Sequence, residues 1–291
     1  MKTKIASNCF LGVLSILAMT GTLGAQTTNQ IVSKLTGKFD FSTGEMNSHW
    51  GDNLSASLSL PVSKRIGLQA DGLFTHVGNR DFEGGGLHAF WRDPEKGMLG
   101  VAVGGIGSDV LYALQGGVEA EYYLNRFTFG VNVGADTIQY NQSAPFIDTH
   151  PTDVFATTSL GYYPMDNVLI QAAYSRMFDN NLGELLLEYQ TPANGLSCFG
   201  ELAKGDNGYD HALFGLRYYF GVNKSLIRRH REDDPPNLLR RILYTIGTYG
   251  AEFNRKANTY VATHPGSDEV SGGYGTISEE YTPPPDIPIN F

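Results

Sequence analysis

Apolar and polar side chains alternate with a period of two across residues 35–220. In 110–124, Val110, Tyr112, Leu114, Val118, Ala120, Tyr122 and Leu124 share one parity. Gln115, Gly117, Glu119 and Glu121 take the other, with Leu111, Ala113 and Tyr123 diluting the polar set. The same alternation recurs in 127–135, 54–60, 66–75 and 184–190. A period of two places successive side chains on opposite faces of a sheet, so each run predicts a β-strand. Less regular candidates lie at 85–91, 97–106, 154–162, 168–178, 196–202 and 211–220, which makes eleven. Helix signals are scarce across 35–220.

A soluble β-sandwich would alternate in the same way. These runs, however, are about as long as the 9–11 residues of a membrane-crossing strand or longer, and numerous for one sandwich. Connections supply a second test, because a closed membrane barrel joins its strands alternately by short turns on one side and longer loops on the other. Compact connections fall at 61–64, 92–96, 125–126, 164–167 and 192–195, and mostly looser ones at 77–84, 107–109, 139–153, 179–181 and 205–210. With that parity the chain enters residue 54 from the looser side, which requires one more strand before it. Leu35, Gly37, Phe39 and Phe41 alternating with Thr36, Lys38, Asp40 and Ser42 supply it. The prediction is an all-β, antiparallel, up-and-down barrel of about twelve strands over 35–220.

Aromatic residues sort to the strand ends. Trp91, Tyr122, Phe127, Tyr162, Tyr189 and Tyr218 fall at the compact side, and Phe41, Phe74, Tyr112, Tyr140, Tyr174 and Phe178 at the looser side. Two such girdles are expected where amphipathic rings meet both faces of a bilayer.

The N-terminus and composition agree. Lys2 and Lys4 precede an apolar stretch from about Cys9 to Met19 and small residues up to Ala25, the order of a secretory signal peptide over 1–25. Residues 26–34 then form a short periplasmic segment. Cys198 alone remains beyond the signal, so no disulfide framework exists. No later segment approaches the ~20 apolar residues of a membrane helix, and a closed barrel is the other architecture that satisfies its backbone in lipid.

In the last strand, Ala212, Phe214, Leu216, Tyr218 and Phe220 share one face, and the strand stops on Phe220. With Phe214, Leu216, Tyr218 and Phe220 it resembles the C-terminal signature strand of the bacterial outer-membrane β-barrel (porin-like) superfamily. That resemblance covers 35–220 and implies contact with outer-membrane lipid and with the family's assembly machinery. One departure stands out: the chain continues beyond this strand. Residues 221–291 form a charged, Pro/Gly-rich tail, expected in the periplasm and partly disordered. Arg228, Arg229, His230 and Arg231 are followed by Glu232, Asp233 and Asp234, then a proline break at Pro235 and Pro236. Short helices are predicted on either side, the second capped by Asn237 and running through Leu238, Leu239, Ile242 and Leu243. This tail would offer a periplasmic contact.

Chemistry enters through the inward face, which is polar in a membrane barrel. The register assigns to it Lys38, Asp40, Asp71, His88, Glu119, Glu121, Asp136, Glu184, Glu188, Glu201, His211 and Arg217. Residues 26–220 carry 21 acidic and 11 basic side chains. An acidic lumen narrower than that of 16-stranded porins favours cations, so the first functional reading is a small, cation-preferring diffusion channel for solutes or ions. A second is a non-conducting barrel, closed by paired charges or by the tail, with a structural or surface-binding role. A third is a lipid-modifying outer-membrane enzyme, but none of the seven histidines sits in a nucleophile motif. An enzyme is therefore not expected. Neither is a cofactor, since no phosphate-binding glycine loop or zinc spacing occurs, and the acidic balance argues against nucleic acid.

Overall fold

The computed structural model describes residues 35–221, 223–235 and 237–263. The expected signal peptide, residues 26–34 and the end of the tail lie outside these residues. Twelve strands form one closed antiparallel barrel: β1 (Thr36–Met46), β2 (His49–Pro61), β3 (Ile66–Val77), β4 (Arg80–Asp93), β5 (Gly97–Gly107), β6 (Leu111–Leu124), β7 (Phe127–Tyr140), β8 (Thr152–Met165), β9 (Val168–Met177), β10 (Asn180–Gln190), β11 (Leu196–Gly205) and β12 (Asp210–Phe220). Each strand pairs with its neighbours in sequence, and β1 closes on β12.

Burial alternates residue by residue along most of each strand. Outward side chains form an apolar belt that includes Leu54, Leu87, Val103, Val118, Leu187, Phe214, Leu216 and Tyr218, all exposed. Trp91, Tyr122, Phe127, Tyr162, Tyr189 and Tyr218 ring the barrel near the Phe220 end. Toward the opposite end, Phe41, Phe74, Tyr112 and Tyr174 face outward. Tyr140 and Phe178 do not belong to that girdle. Both are buried inside, because the lumen offers aromatic partners there.

The connections differ from the predicted contrast. Asn47–Ser48, Gly78–Asn79 and Phe178–Asp179 are two-residue hairpin turns, as are Asn125–Arg126 and Asp166–Asn167 at the other end. Asn47 and Ser48 both have positive φ (47° and 66°), the backbone that matches strand twist in tight hairpins. Of the looser connection expected at 77–84, Val77 and residues 80–84 are strand at the barrel rim. Only residues 141–151 make an extended loop among the described residues. The first strand expected over 35–42 is present and longer, as β1, although much of the chain in the longer connections is strand.

Two helices follow β12: α1 (Leu226–Glu232) and α2 (Leu238–Thr263). Asn237 caps α2, its side-chain oxygen accepting the Arg240 amide at 3.2 Å. In α2, Leu238, Leu239, Ile242, Leu243, Ile246, Tyr249 and Phe253 lie at helical spacing and are all buried. They share one apolar core with inward residues of the strands, among them Leu73, Ile106, Ile138, Leu182 and Leu213. The helix therefore sits inside the barrel. The expectation of a tail outside it is corrected for residues 238–263: a helix with this much apolar surface has nowhere else in a twelve-stranded barrel to bury it.

Candidate functional site: the lumen and its helical plug

Period-two alternation puts a polar row on the lumen side of each strand, and the fold brings these rows together. Asp40 and Arg217 are direct register partners across the β1–β12 seam. Arg217 donates from Nε to Asp40 at 2.7 Å and from Nη1 to Glu188 at 2.5 Å. Tyr219 donates its hydroxyl to the same Glu188 at 3.1 Å. Farther round, His88 bridges Asp71 (2.7 Å) and Glu119 (3.0 Å). Glu121 accepts the Tyr123 hydroxyl at 2.6 Å. Glu184 accepts from Ser175 at 3.4 Å. Asp136 lies opposite Gln115 in the register, and neither of its carboxylate oxygens has a hydrogen-bond partner. All twelve residues assigned to the inward face lie on the barrel's interior; Glu121 and Glu184 are half-buried and the others buried.

Lys38, Glu188, Glu201 and His211 of the twelve reach the tail directly, Glu188 standing 3.6 Å from His230 and the His211 ring 4.4 Å from that of Tyr244. Lys38 donates to both oxygens of Asp234 at 2.6 and 2.7 Å. Glu201 accepts from His211 at 3.2 Å and from Arg240 of α2 at 2.7 Å, and it also takes the Tyr244 hydroxyl. At the next position, about 100° round the helix, Arg241 donates to Gln115 at 2.6 Å. The helix thus sets two arginines against an acidic wall. Residues 221–263 carry eight basic and four acidic side chains, opposite in balance to the strands.

Helix α1 closes the Phe220 end. Its Ile227 amide bonds the Asp166 carbonyl at 3.0 Å, and Arg231 donates to the Phe127 carbonyl at 2.7 Å. His230 lies between two hydroxyls, Tyr163 at Nδ1 (2.9 Å) and Tyr219 at Nε2 (2.8 Å). With the Tyr219 proton given to Glu188, a neutral imidazole satisfies both contacts by donating from Nε2 and accepting at Nδ1. Burial favours the same form and holds its pKa below the usual value, against the pull of Glu188 and Asp234.

At the opposite end the contacts turn aromatic. Tyr249 packs on Tyr140 (6.2 Å between centroids) and Phe178 (5.1 Å), and Phe253 on Tyr140 (5.6 Å) and Phe146 (5.1 Å). Loop 141–151 folds over the helix here, with the Tyr249 hydroxyl donating to the Asp148 carbonyl at 2.6 Å. Close fit is visible at Gly247, where a Cβ would stand 2.5 Å from the Tyr209 ring. It recurs at Gly104, where a Cβ would stand 2.8 Å from the end of Leu238.

Simple geometry accounts for the fit. Twelve strands ~4.8 Å apart at ~40° tilt give a backbone cylinder of roughly 24 Å diameter, whose lining side chains leave room for about one helix of 10–12 Å. An interstice between Arg240, Leu243, Tyr244 and the wall residues Asp40, Ser42, Asn53, Ser55, Leu73 and Leu213 has an empty volume of about 250 Å³, in gaps too narrow for a water molecule.

The plug residues Arg240, Arg241, Tyr244, Tyr249 and Phe253 were not singled out from sequence. The signal was present in the basic balance of 221–263 and in the 3–4 spacing of its apolar residues.

No protein-family model matches the chain, and no curated protein matches it. Among solved structures it is similar to the NanC porin (TM-score 0.50, 10% identity, covering 62% of this chain and 98% of that one). It is also similar to the KdgM porin in complex with disordered oligogalacturonate (TM-score 0.49, 10% identity, 63% and 99%). A third is the COG4313 outer membrane channel from Pseudomonas putida F1 (TM-score 0.46, 10% identity, 69% and 98%). At these identities the likeness is one of fold: the chain shares the closed antiparallel barrel of outer-membrane porins.

Proposed function

We propose, from the fold shared with outer-membrane porins, that this chain is an outer-membrane barrel closed by its own C-terminal helix and non-conducting in that state. The observation that carries the reading is the burial of α2 along the lumen. The outward apolar belt and its aromatic rings fit a bilayer. The Phe220 end, where β1 begins and β12 ends, faces the periplasm, as the usual insertion of such barrels requires. Lipid contacts the outer face, and Phe214, Leu216, Tyr218 and Phe220 present the strand that assembly machinery reads.

On this reading the acidic lumen serves the plug. Asp40 and Glu188 neutralise Arg217, Asp71 and Glu119 hold His88, and Glu201 binds Arg240, so few carboxylates stay free to attract a passing cation. The barrel acts as a membrane anchor with a structural or surface-binding role. The enzymatic reading has less support, since His88 and His211 point into the packed lumen, away from lipid.

A second reading keeps the channel as a latent state. The surplus of unpaired acceptors at Asp136 and Glu119 favours it, because a wall that loses its helix becomes an acidic, cation-preferring pore. Planar-bilayer recording tests both. The full-length protein is expected to be silent, and the protein lacking residues 222–291 to conduct with preference for cations. Steady conductance of the full-length chain, equal to that of the truncated one, refutes the plug. A silent truncated barrel, correctly folded, refutes the latent channel.

A further inference from the structure

Helix α2 enters the lumen partway up the barrel and leaves at the end opposite to β12. At its start Leu238 packs against Gly86 and Gly104, and Arg240 against Glu201, all well inside the strands. Thr245 then meets Met177 at the end of β9, and Glu252 meets Asn180 at the start of β10. Arg255 reaches Asn207 in the β11–β12 turn at 2.6 Å, and Tyr260 packs on Phe146 of loop 141–151. Contacts thus climb steadily from mid-barrel to the far rim. Twenty-six helical residues span ~39 Å at 1.5 Å each. Strands of 10–14 residues at ~3.3 Å rise and ~40° tilt give a wall only ~25–35 Å high. A helix starting mid-wall must therefore protrude, and Ala262 and Thr263 are indeed exposed.

We infer that the barrel carries its own C-terminal segment through the membrane, so that the residues after Thr263 emerge on the face of loop 141–151, opposite to the face holding the β12 end. The inference rests on the membrane-barrel reading above. The emerging stretch differs in chemistry from the helix that delivers it. Residues 264–291 hold five carboxylates (Asp268, Glu269, Glu279, Glu280 and Asp286) and no lysine or arginine. The basic plug stays with the acidic wall, and an acidic segment is presented outside. Under the proposed orientation the protein displays this segment at the cell surface.

Single-cysteine labelling tests the topology in the full chain, starting from Cys198→Ser. Ser63→Cys marks the β2–β3 turn at the Phe220 end, Ser143→Cys marks loop 141–151, and Ser278→Cys marks the emerging segment. A membrane-impermeant maleimide is applied to intact and to permeabilised cells. Ser278→Cys is expected to label on intact cells as fully as Ser143→Cys, while Ser63→Cys labels only after permeabilisation. If Ser278→Cys instead follows Ser63→Cys, the threading is overturned while the barrel stands. If Ser63→Cys and Ser143→Cys label alike on intact cells, the membrane reading itself falls, and the inference with it.

Discussion

Replacing Ile246 by alanine isolates the packing that holds the helix in the lumen. Ile246 is 0% exposed at the middle of α2, in the core shared by helix and wall. Removing its outer carbons from a site that cannot collapse around them costs ~2–5 kcal/mol in comparable cores. The barrel wall is hydrogen-bonded all round, so the loss falls on docking of the helix rather than on the strands. At 1.4 kcal/mol per factor of ten, a loss of about 3 kcal/mol shifts the docked-to-undocked ratio on the order of a hundredfold. Hydrogen–deuterium exchange with mass spectrometry reads that ratio even when undocking is rare, because exchange reports local opening free energy. Amides of residues 240–250 are expected to exchange about a hundredfold faster in Ile246→Ala, with β-strand amides unchanged. Thr259→Ala, on an exposed position near the protruding end, is the control and should change exchange by about twofold at most. The reasoning is refuted if Ile246→Ala and Thr259→Ala exchange alike, or if strand protection falls together with that of the helix.

Arg217→Met leaves Asp40 and Glu188 buried without their cation. It is expected to destabilise the barrel by ~3–5 kcal/mol, seen as a lower temperature for loss of the fast-migrating folded band in gel electrophoresis. Arg217→Lys should recover only part, since one ammonium cannot reproduce the two-sided guanidinium contact. Gly247→Val drives a side chain into the Tyr209 ring and is expected to raise helix exchange and to open conductance. Adding Tyr209→Ala should return both toward the original values, whereas a Gly247→Val protein that stays silent and protected argues against close packing there.

The barrel was legible because its physics is local. Side chains must alternate between lipid and lumen, and runs such as Phe127, Phe129, Val131 and Val133 against Thr128, Gly130 and Asn132 declare that directly. Strand ends were less legible. Residues 80–84 and 43–53 are polar or glycine-containing at the rim, where a strand leaves the apolar belt and its outward face no longer needs to be apolar. The plug was harder still, because Leu238, Ile242, Ile246, Tyr249 and Phe253 show an amphipathic helix but not where it docks. Tyr140 and Phe178 carry the same ambiguity: an aromatic at a strand end serves a bilayer interface or an internal helix equally well. Phe178 has a positive φ of 47°, a backbone that bulky residues rarely adopt, which the burial of its ring against Tyr249 offsets. Carboxylates outnumber cations over residues 26–220, and the arginines of the helix lie farther along the same chain.

The Asp40–Arg217 pair at the seam has a consequence for how the ring finds its closure. β1 and β12 lie far apart in sequence, so their pairing closes a much longer loop than any hairpin of the ring. A slip of one residue would turn every lumen side chain toward lipid. A slip of two would keep the faces but set Asp40 opposite Gly215 and Arg217 opposite Lys38, or Asp40 opposite Tyr219 and Arg217 opposite Ser42, parting the two charges. The ion pair therefore works as a key between two strangers, and among nearby alignments it admits one.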